Sequence, residues 1–285
     1  MTFQFQKSGK KISAKFSVLG LNLSNNGSVC VMRDGKLAFY LESERITRKK
    51  RDHAIRSLLK YVHDIDAIAI CDADWNEDSK KLISSLDLSI VSSKFPDAEI
   101  FDFRSEHHKC HAASAFYNSG YDDAIAIVVD SNGSKTDEGI ELESIFDIPS
   151  WKVLHKKYWS EDDRGIGKDY EAVCVNYGFH KDDAGKVMGL AAHGKHEAFY
   201  VQQKWEKRAI ELCKMFEGRN LVLSGGCFLN CVVNYKIQRE LDVRIRVMPI
   251  AHDGGTSIGA AYLATLNKSL AKTHANISIK KLEDR

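Results

Sequence analysis

Proline is scarce, with three residues in a chain of 285, so a Pro-rich linker between modules is excluded. No charge of one sign prevails: 41 Lys and Arg stand against 39 Asp and Glu, a formal net charge of +2. That balance demands neither nucleic acid nor an anionic membrane as a partner, although it leaves room for a local basic groove. No apolar run is as long as a membrane span, and the opening MTFQFQKSGKKIS lacks the apolar stretch of a secretory signal, so the expectation is a cytoplasmic protein without a membrane partner. The seven cysteines are odd in number and mostly set in apolar segments, unlike a secreted disulfide framework. Cys227 and Cys231 are four apart, but no second pair completes a zinc set, so they read as small core residues. GxxxxGK[ST] is absent, which excludes a P-loop of the usual kind. What is present is a globular composition, 44% hydrophobic and 28% charged, long enough for one large or two modest domains.

The hydrophobic pattern predicts an α/β chain. Residues 16–23 and 29–42 read as strands, with Asp34-Gly35 as a hairpin turn. The stretch 44–64 opens with a basic run and continues with Ile55, Leu58, Leu59 and Val62 at helical spacing. Strands follow at 67–71 and 99–103, then a helix over 106–118 and a buried strand at 124–130 that ends on an acid. IELESIFDI and SWKVLHKKYW are further strand candidates. Helices are expected around 168–177, 184–192 and 196–217, and NLVLSGG is a strand running into a glycine turn and a helix. RIRVMPI and a small-residue helix, TSIGAAYLATL, close the pattern, and the charged tail from Lys268 is expected to be peripheral. Two strand-rich stretches, each followed by helices, predict two lobes around a cleft, lobe I about 1–120 plus the last helix and lobe II about 121–255.

Three sets of residues carry chemistry. In Glu106-His107-His108-Lys109-Cys110-His111, a helical conformation places His107 and His111 on one face, where two imidazoles can hold one metal ion while His108 points elsewhere. A third ligand would come from a distant carboxylate, and two strand-end acids, Asp130 and Asp253, are available. The same string also reads as a solvated, histidine-rich helix start. A second set is the turns Ser224-Gly225-Gly226, Asp130-Ser131-Asn132-Gly133 and Asp253-Gly254-Gly255-Thr256, whose bare amides after strands suit phosphate. Third, Gly185-Lys186-Val187-Met188-Gly189 sets a lysine between glycines, either as a point charge for phosphate or as a surface residue. The run Arg45, Arg48, Lys49, Lys50, Arg51 suits an anionic substrate or a solvated helix start.

Seven segments, GLNLSNNGSVCVMRDGKLAFYLESERITRKKRD, EHHKCHAASAFY, AIAIVVDSNG, GKDYEAV, GKVMGLAAHG, LVLSGGCFLN and PIAHDGGTSIGAA, together resemble the O-carbamoyltransferases of nodulation and antibiotic tailoring, specifically their Kae1-like domain. The resemblance implies a two-lobed actin-like ATPase fold with a central cleft. It also implies transfer of a carbamoyl group from carbamoyl phosphate, by way of ATP and carbamoyl-adenylate, to a hydroxyl of a sugar, nucleoside or hydroxymethylated nucleobase, DNA included. It implies metal ligands His107, His111 and Asp253, with iron first and Mg or Mn as alternatives. Asp130, Lys186 and Asn25 would be catalytic. Gly133, Lys186, Gly189, Gly225, Gly226 and Asn230 would hold the nucleotide, and Asn22, Asn25, Arg45, Arg48 and Lys50 the acceptor. Two departures stand out. Asn25-Asn26 replaces the family's His-Asp pair, and amides cannot accept a proton as imidazole or carboxylate can. The second is that the resemblance ends before the YrdC-like domain that makes the adenylate, which makes a separate YrdC-like subunit an expected partner; a homodimer is compatible. The alternatives are a Kae1-like tRNA threonylcarbamoyl transferase and a non-catalytic nucleotide- or metal-binding module.

Overall fold

The computed structural model describes residues 16–72, 78–194 and 196–268, so the tail beyond Lys268 lies outside the described residues. The first sheet holds β1 (Ser17–Asn22), β2 (Ser28–Arg33), β3 (Lys36–Glu42), β4 (Ala67–Cys71) and β5 (Glu99–Asp102), in the order β3-β2-β1-β4-β5. The first three run antiparallel, and β4 and β5 continue parallel to β1. Helices α1 (Ser43–Thr47) and α2 (Asp78–Lys94) lie between these strands, and α3 (His107–Ser119) follows them.

The second sheet repeats the plan. Its strands are β6 (Ala124–Val129), β7 (Lys135–Thr136), β8 (Gly139–Ile148), β9 (Lys152–Tyr158), β10 (Asn220–Ser224) and β11 (Arg244–Val247). Antiparallel β8 and β9 flank β6 on one side and parallel β10 and β11 on the other, with short β7 pairing the start of β8. Between β9 and β10 come α4 (Ile166–Asn176), α5 (Ala184–Ala192) and α6 (His196–Lys214), and between β10 and β11 comes α7 (Cys231–Glu240). A last helix, α8, spans 256–268.

The central parallel strands explain how the sheets meet. In β4, Ala67, Ala69 and Cys71 face the core between the sheets, and Ile68 and Ile70 face away. In β6, Ala124, Ala126 and Val128 face inward, and Ile125 and Ile127 pack beneath α4–α7. Because successive strand side chains alternate, the small residues make one thin face on each sheet. Onto those faces fit α3 and α8, themselves lined by Ala112, Ala113, Ala115, Ala260, Ala261 and Ala264.

Two stretches differ from the sequence expectation. Residues 48–62 hold no α-helix: Arg48 and Arg51 have positive φ, and only a 3-10 turn forms at Leu59–Tyr61. Ile55, Leu58 and Val62 are nonetheless fully buried, because the loop winds across the first sheet. Helix α2 went unread in a mostly polar segment; it is anchored by Val91 and by buried Asp87, which accepts from Ile55 N at 2.7 Å and faces Arg56 Nε at 3.1 Å.

Candidate metal centre and an adjacent groove

His107 and His111 lie in the first turns of α3, one helical turn apart, and His107 N donates to Ser134 Oγ at 2.9 Å. All three histidines are fully buried, which overturns the solvated reading of this string. The Nε2 atoms of His107 and His111 are 3.1 Å apart. Asp253, at the turn leading into α8, brings Oδ1 to 3.6 Å from both of them. Asp130, at the end of β6, brings Oδ2 to 3.3 Å from His111 Nε2. One ligand atom from each of the four residues lies within 4.8 Å of the others.

Each ligand is held from behind. His107 Nδ1 meets Cys71 Sγ at 3.7 Å, and His111 Nδ1 meets Ser224 Oγ at 3.2 Å, so both rings turn Nε2 inward. Asp253 Oδ2 accepts from Ser24 Oγ at 3.0 Å, and Asp130 Oδ1 accepts from Ser131 N at 2.7 Å. Asp130 Oδ2 is buried with no hydrogen-bond partner. Burial opposes charge on His107, His111 and Asp253. Even so, the Cys71 and Asp253 partners raise His107 well above the usual imidazole value, Asp130 and Asp253 raise His111, and the two imidazoles hold Asp253 well below the usual carboxylate range. Two nitrogens and two carboxylates converging on a buried point, one oxygen of them unpartnered, fit a divalent cation. His108 stands apart: its Nδ1 lies 2.7 Å from Ser144 Oγ, and burial and the neighbouring imidazoles lower its pKa.

The remaining expected site residues fall in several places. Asn22 is fully buried and closes the loop after β1, donating from Nδ2 to Asn25 O at 3.0 Å and Asn26 O at 3.1 Å. Asn25 lies on that loop, beside Asn26 in left-handed conformation. Arg45 is exposed and faces Glu42 and Glu44, Arg48 caps α1, and Lys50 is exposed. Gly133 presses on His108, where a Cβ would come within 2.5 Å of Nε2. Gly225 has φ +92 and passes Val129 O, and Gly226 faces Asp130 Oδ1. Asn230 caps α7 through Val233 N at 3.2 Å and donates to Gln202 Oε1 at 2.8 Å, so its amide serves the fold. Gly189 is exposed on α5, and the Lys186 ammonium pairs with Asp183 Oδ2 at 2.8 Å.

Ser24 and Cys71 carried no sequence signal, since nothing in a strand-end Ser or Cys shows what it will face. Also unread was a groove of about 410 Å³ along the outer face of α4, lined by Trp159, Arg164, Lys168, Glu171, Val175 and Lys181. Its inner end touches the loop that carries Asp130. Gly167 packs so closely there that a Cβ would lie 2.6 Å from Ser131 Cα, and Lys168 Nζ lies 2.9 Å from the Asn132 amide, oriented with its oxygen toward the lysine.

The double-sheet plan is shared with solved structures of low sequence identity. HypF in its phosphate- and nucleotide-bound form matches with a TM-score of 0.56 at 15% identity, over 88% of this chain and 55% of that one. The ADPNP-bound activator of 2-hydroxyisocaproyl-CoA dehydratase from Clostridium difficile gives 0.55 at 12% identity, over 91% and 98%. A ROK hexokinase from Thermus thermophilus gives 0.51 at 15%, over 87% and 98%. The fold is therefore the actin-like ATPase fold. Among curated proteins, nodulation protein NolNO of Sinorhizobium fredii is 24% identical over 84% of this chain, which spans about half (46%) of that protein's length. The carbamoyltransferase N-terminus profile matches residues 79–206 and 196–262, from α2 into α8 with Asp253 included, and the chain belongs to that family.

Proposed function

We propose that the chain performs the transfer half of an ATP-dependent O-carbamoylation, passing a carbamoyl group from carbamoyl-adenylate to an acceptor hydroxyl. The observation that carries this reading is the buried His107–His111–Asp253–Asp130 cluster between the two sheets, in a chain of the carbamoyltransferase N-terminus family. His107, His111 and Asp253 would hold the cation, iron first and Mg or Mn as alternatives. When bound, it supplies a Lewis acid for negative charge on the phosphoryl and carbamoyl oxygens.

The chain's own residues do the rest. The new bond joins the acceptor oxygen to the carbamoyl carbon while the bond from that carbon to the AMP phosphate oxygen breaks. The acceptor proton needs a base, and Asn25 and Asn26 offer only amides. Asp130 Oδ2, buried and 3.3 Å from His111 Nε2, is the carboxylate oxygen assigned here to receive it. The nucleotide would lie in the groove along α4, its ring against Trp159 and its phosphates toward Lys168 and the Asp130 loop, with Lys186 of α5, outside the groove lining, as a further cation for them. The acceptor is a hydroxyl of a sugar, nucleoside or hydroxymethylated base, the last also as part of DNA, approaching by Asn25 and the basic segment 45–51. The carbamoyl group comes from carbamoyl phosphate and reaches this site as carbamoyl-adenylate, made by a YrdC-like activity.

Mass spectrometry tests this directly. The chain is incubated with carbamoyl phosphate, ATP, Fe²⁺ and a panel of hydroxylated acceptors, with and without a YrdC-like protein. The expected product carries one added carbamoyl group, and no transfer to any acceptor under either condition would favour a non-catalytic binding module.

A further inference from the structure

Away from the metal cluster, one side chain joins the first lobe to the helices of the second. Arg51 follows α1 and has a left-handed backbone, φ 59. Its N–H donates to Glu44 Oε2 at 3.2 Å, which holds it at its base. The guanidinium reaches the loop between α4 and α5. There Nη2 donates to the Asp182 carbonyl oxygen and lies 3.4 Å from Asp183 Oδ1, while Nη1 lies 3.4 Å from Asp182 Oδ2 and 3.3 Å from His180 Nδ1. The pairs are not fully solvated: the side chains of Arg51, Asp182 and Asp183 are 26%, 27% and 14% exposed.

Asp183 serves two cations. Its Oδ1 faces Arg51 from the opposite lobe, and its Oδ2 accepts from Lys186 Nζ at 2.8 Å. Lys186 is itself exposed, with the Phe179 ring 5.0 Å from its ammonium as its other neighbour. A carboxylate shared between two cations binds each less strongly than it would bind one, because each donor draws on the same negative charge.

We propose that Arg51, Asp182 and Asp183 form a latch across the cleft, and that Lys186 sets its strength: an anionic nucleotide that draws Lys186 off Asp183 leaves that carboxylate to Arg51 and closes the lobes over the site. The nucleotide arm of this inference rests on the function proposed above, whereas the latch itself does not. The bland alternative is a surface ion pair of little consequence.

Backbone hydrogen exchange over 180–186, followed by mass spectrometry on the full chain, separates the two. Without ligand, Arg51→Met is expected to speed exchange there about fivefold, and Lys186→Met to slow it about threefold, since both changes alter how firmly the loop is held. ATP should slow exchange in the unsubstituted chain, and should leave it unchanged in Arg51→Met even though calorimetry still shows ATP bound. Exchange that Arg51→Met leaves unaltered, or that Lys186→Met fails to slow, overturns the latch. ATP that fails to bind the unsubstituted chain overturns the nucleotide reading alone, because the ligand-free comparison of the three chains still decides the latch.

Discussion

At the scale of single residues, the centre is defined by what lies behind its ligands. Cys71 and Ser224 hold the Nδ1 sides of His107 and His111, and Ser24 holds the far oxygen of Asp253. His107→Ala and His111→Ala are each expected to reduce bound metal from about one equivalent to near zero, while circular dichroism and cooperative unfolding persist. Elemental analysis after gel filtration checks this, and undiminished metal content would remove both residues from the ligand set. Ser24→Ala leaves His107, His111 and Asp253 in place but frees Asp253 to turn, so metal affinity should weaken about tenfold. A competition titration with a chromophoric chelator measures that loss. Of these residues, the two histidines were legible because spacing alone puts positions four apart on one helix face. Ser24 and Cys71 were not legible, because their partners stand far away in the chain.

Among elements, the approach of α8 to its neighbours is the tightest feature. A Cβ on Gly259 would lie 1.8 Å from Cys110 O of α3, and one on Gly20 of β1 would lie 2.0 Å from Ser257 O. Helix α8 is thus gripped between β1 and α3 at two residues without side chains, and Asp253 is carried by the turn at its start. Gly259→Ala is expected to cost about 3 kcal/mol in urea unfolding, the upper range for overpacking, and to weaken metal binding as Asp253 moves with the helix. A stability within about 0.5 kcal/mol of the unsubstituted chain would show that α8 can shift freely.

Strand β8 carries a second element-scale prediction through buried Glu143. It accepts from Arg208 of α6, Nε at 3.1 Å and Nη2 at 2.6 Å, with His155 Nε2 at 3.3 Å and Lys157 Nζ at 3.6 Å. Burial alone would raise its pKa, but Arg208, Lys157 and His155 together lower it. A carboxyl whose folded pKa lies below its unfolded value of about 4.3 stabilises the fold above that value and loses this contribution as pH falls through the folded one. Glu143→Gln should therefore cost about 3 kcal/mol at pH 7, and the difference should shrink as pH falls below about 4. Urea unfolding of both chains across pH 3–7 measures it, and a difference independent of pH would show that the charge contributes nothing.

For the whole molecule, two sheets of the same strand order meet through thin, alanine-rich faces, and the candidate metal centre lies at their junction. Its four clustered residues come from α3, from the end of β6 in the second sheet, and from the turn into α8, which is tied to the first sheet through Ser24. A cation held there links parts that otherwise touch through small side chains, so metal should stabilise the chain globally. At a free metal concentration of about 100 times its Kd the gain is about 2.7 kcal/mol. Thermal unfolding with and without EDTA is expected to show a melting temperature a few degrees lower in the chelator. An unchanged midpoint, with metal shown to leave, would place the cation outside the load path between the sheets.

The alternation Ala-Ile-Ala-Ile in β4 and β6, the His-x-x-x-His spacing and the acid-tipped strand at Asp130 are local facts, and the sequence by itself determined the strands, the two-histidine face and the α/β class from them. Periodicity reaches only as far as one element, so it could say nothing about which sheet face is thin, or that the 48–62 stretch would wind as a loop under two left-handed arginines. Only the tertiary structure decided that Asp130 and Asp253, 123 residues apart in number, converge with both histidines. It alone turned the Asn230 amide to capping, placed a basic, Trp-edged groove beside the Asp130 loop, and carried Arg51 across to Asp183. Those juxtapositions depend on how two sheets pack against α3 and α8, and that packing is set by contacts distant in sequence.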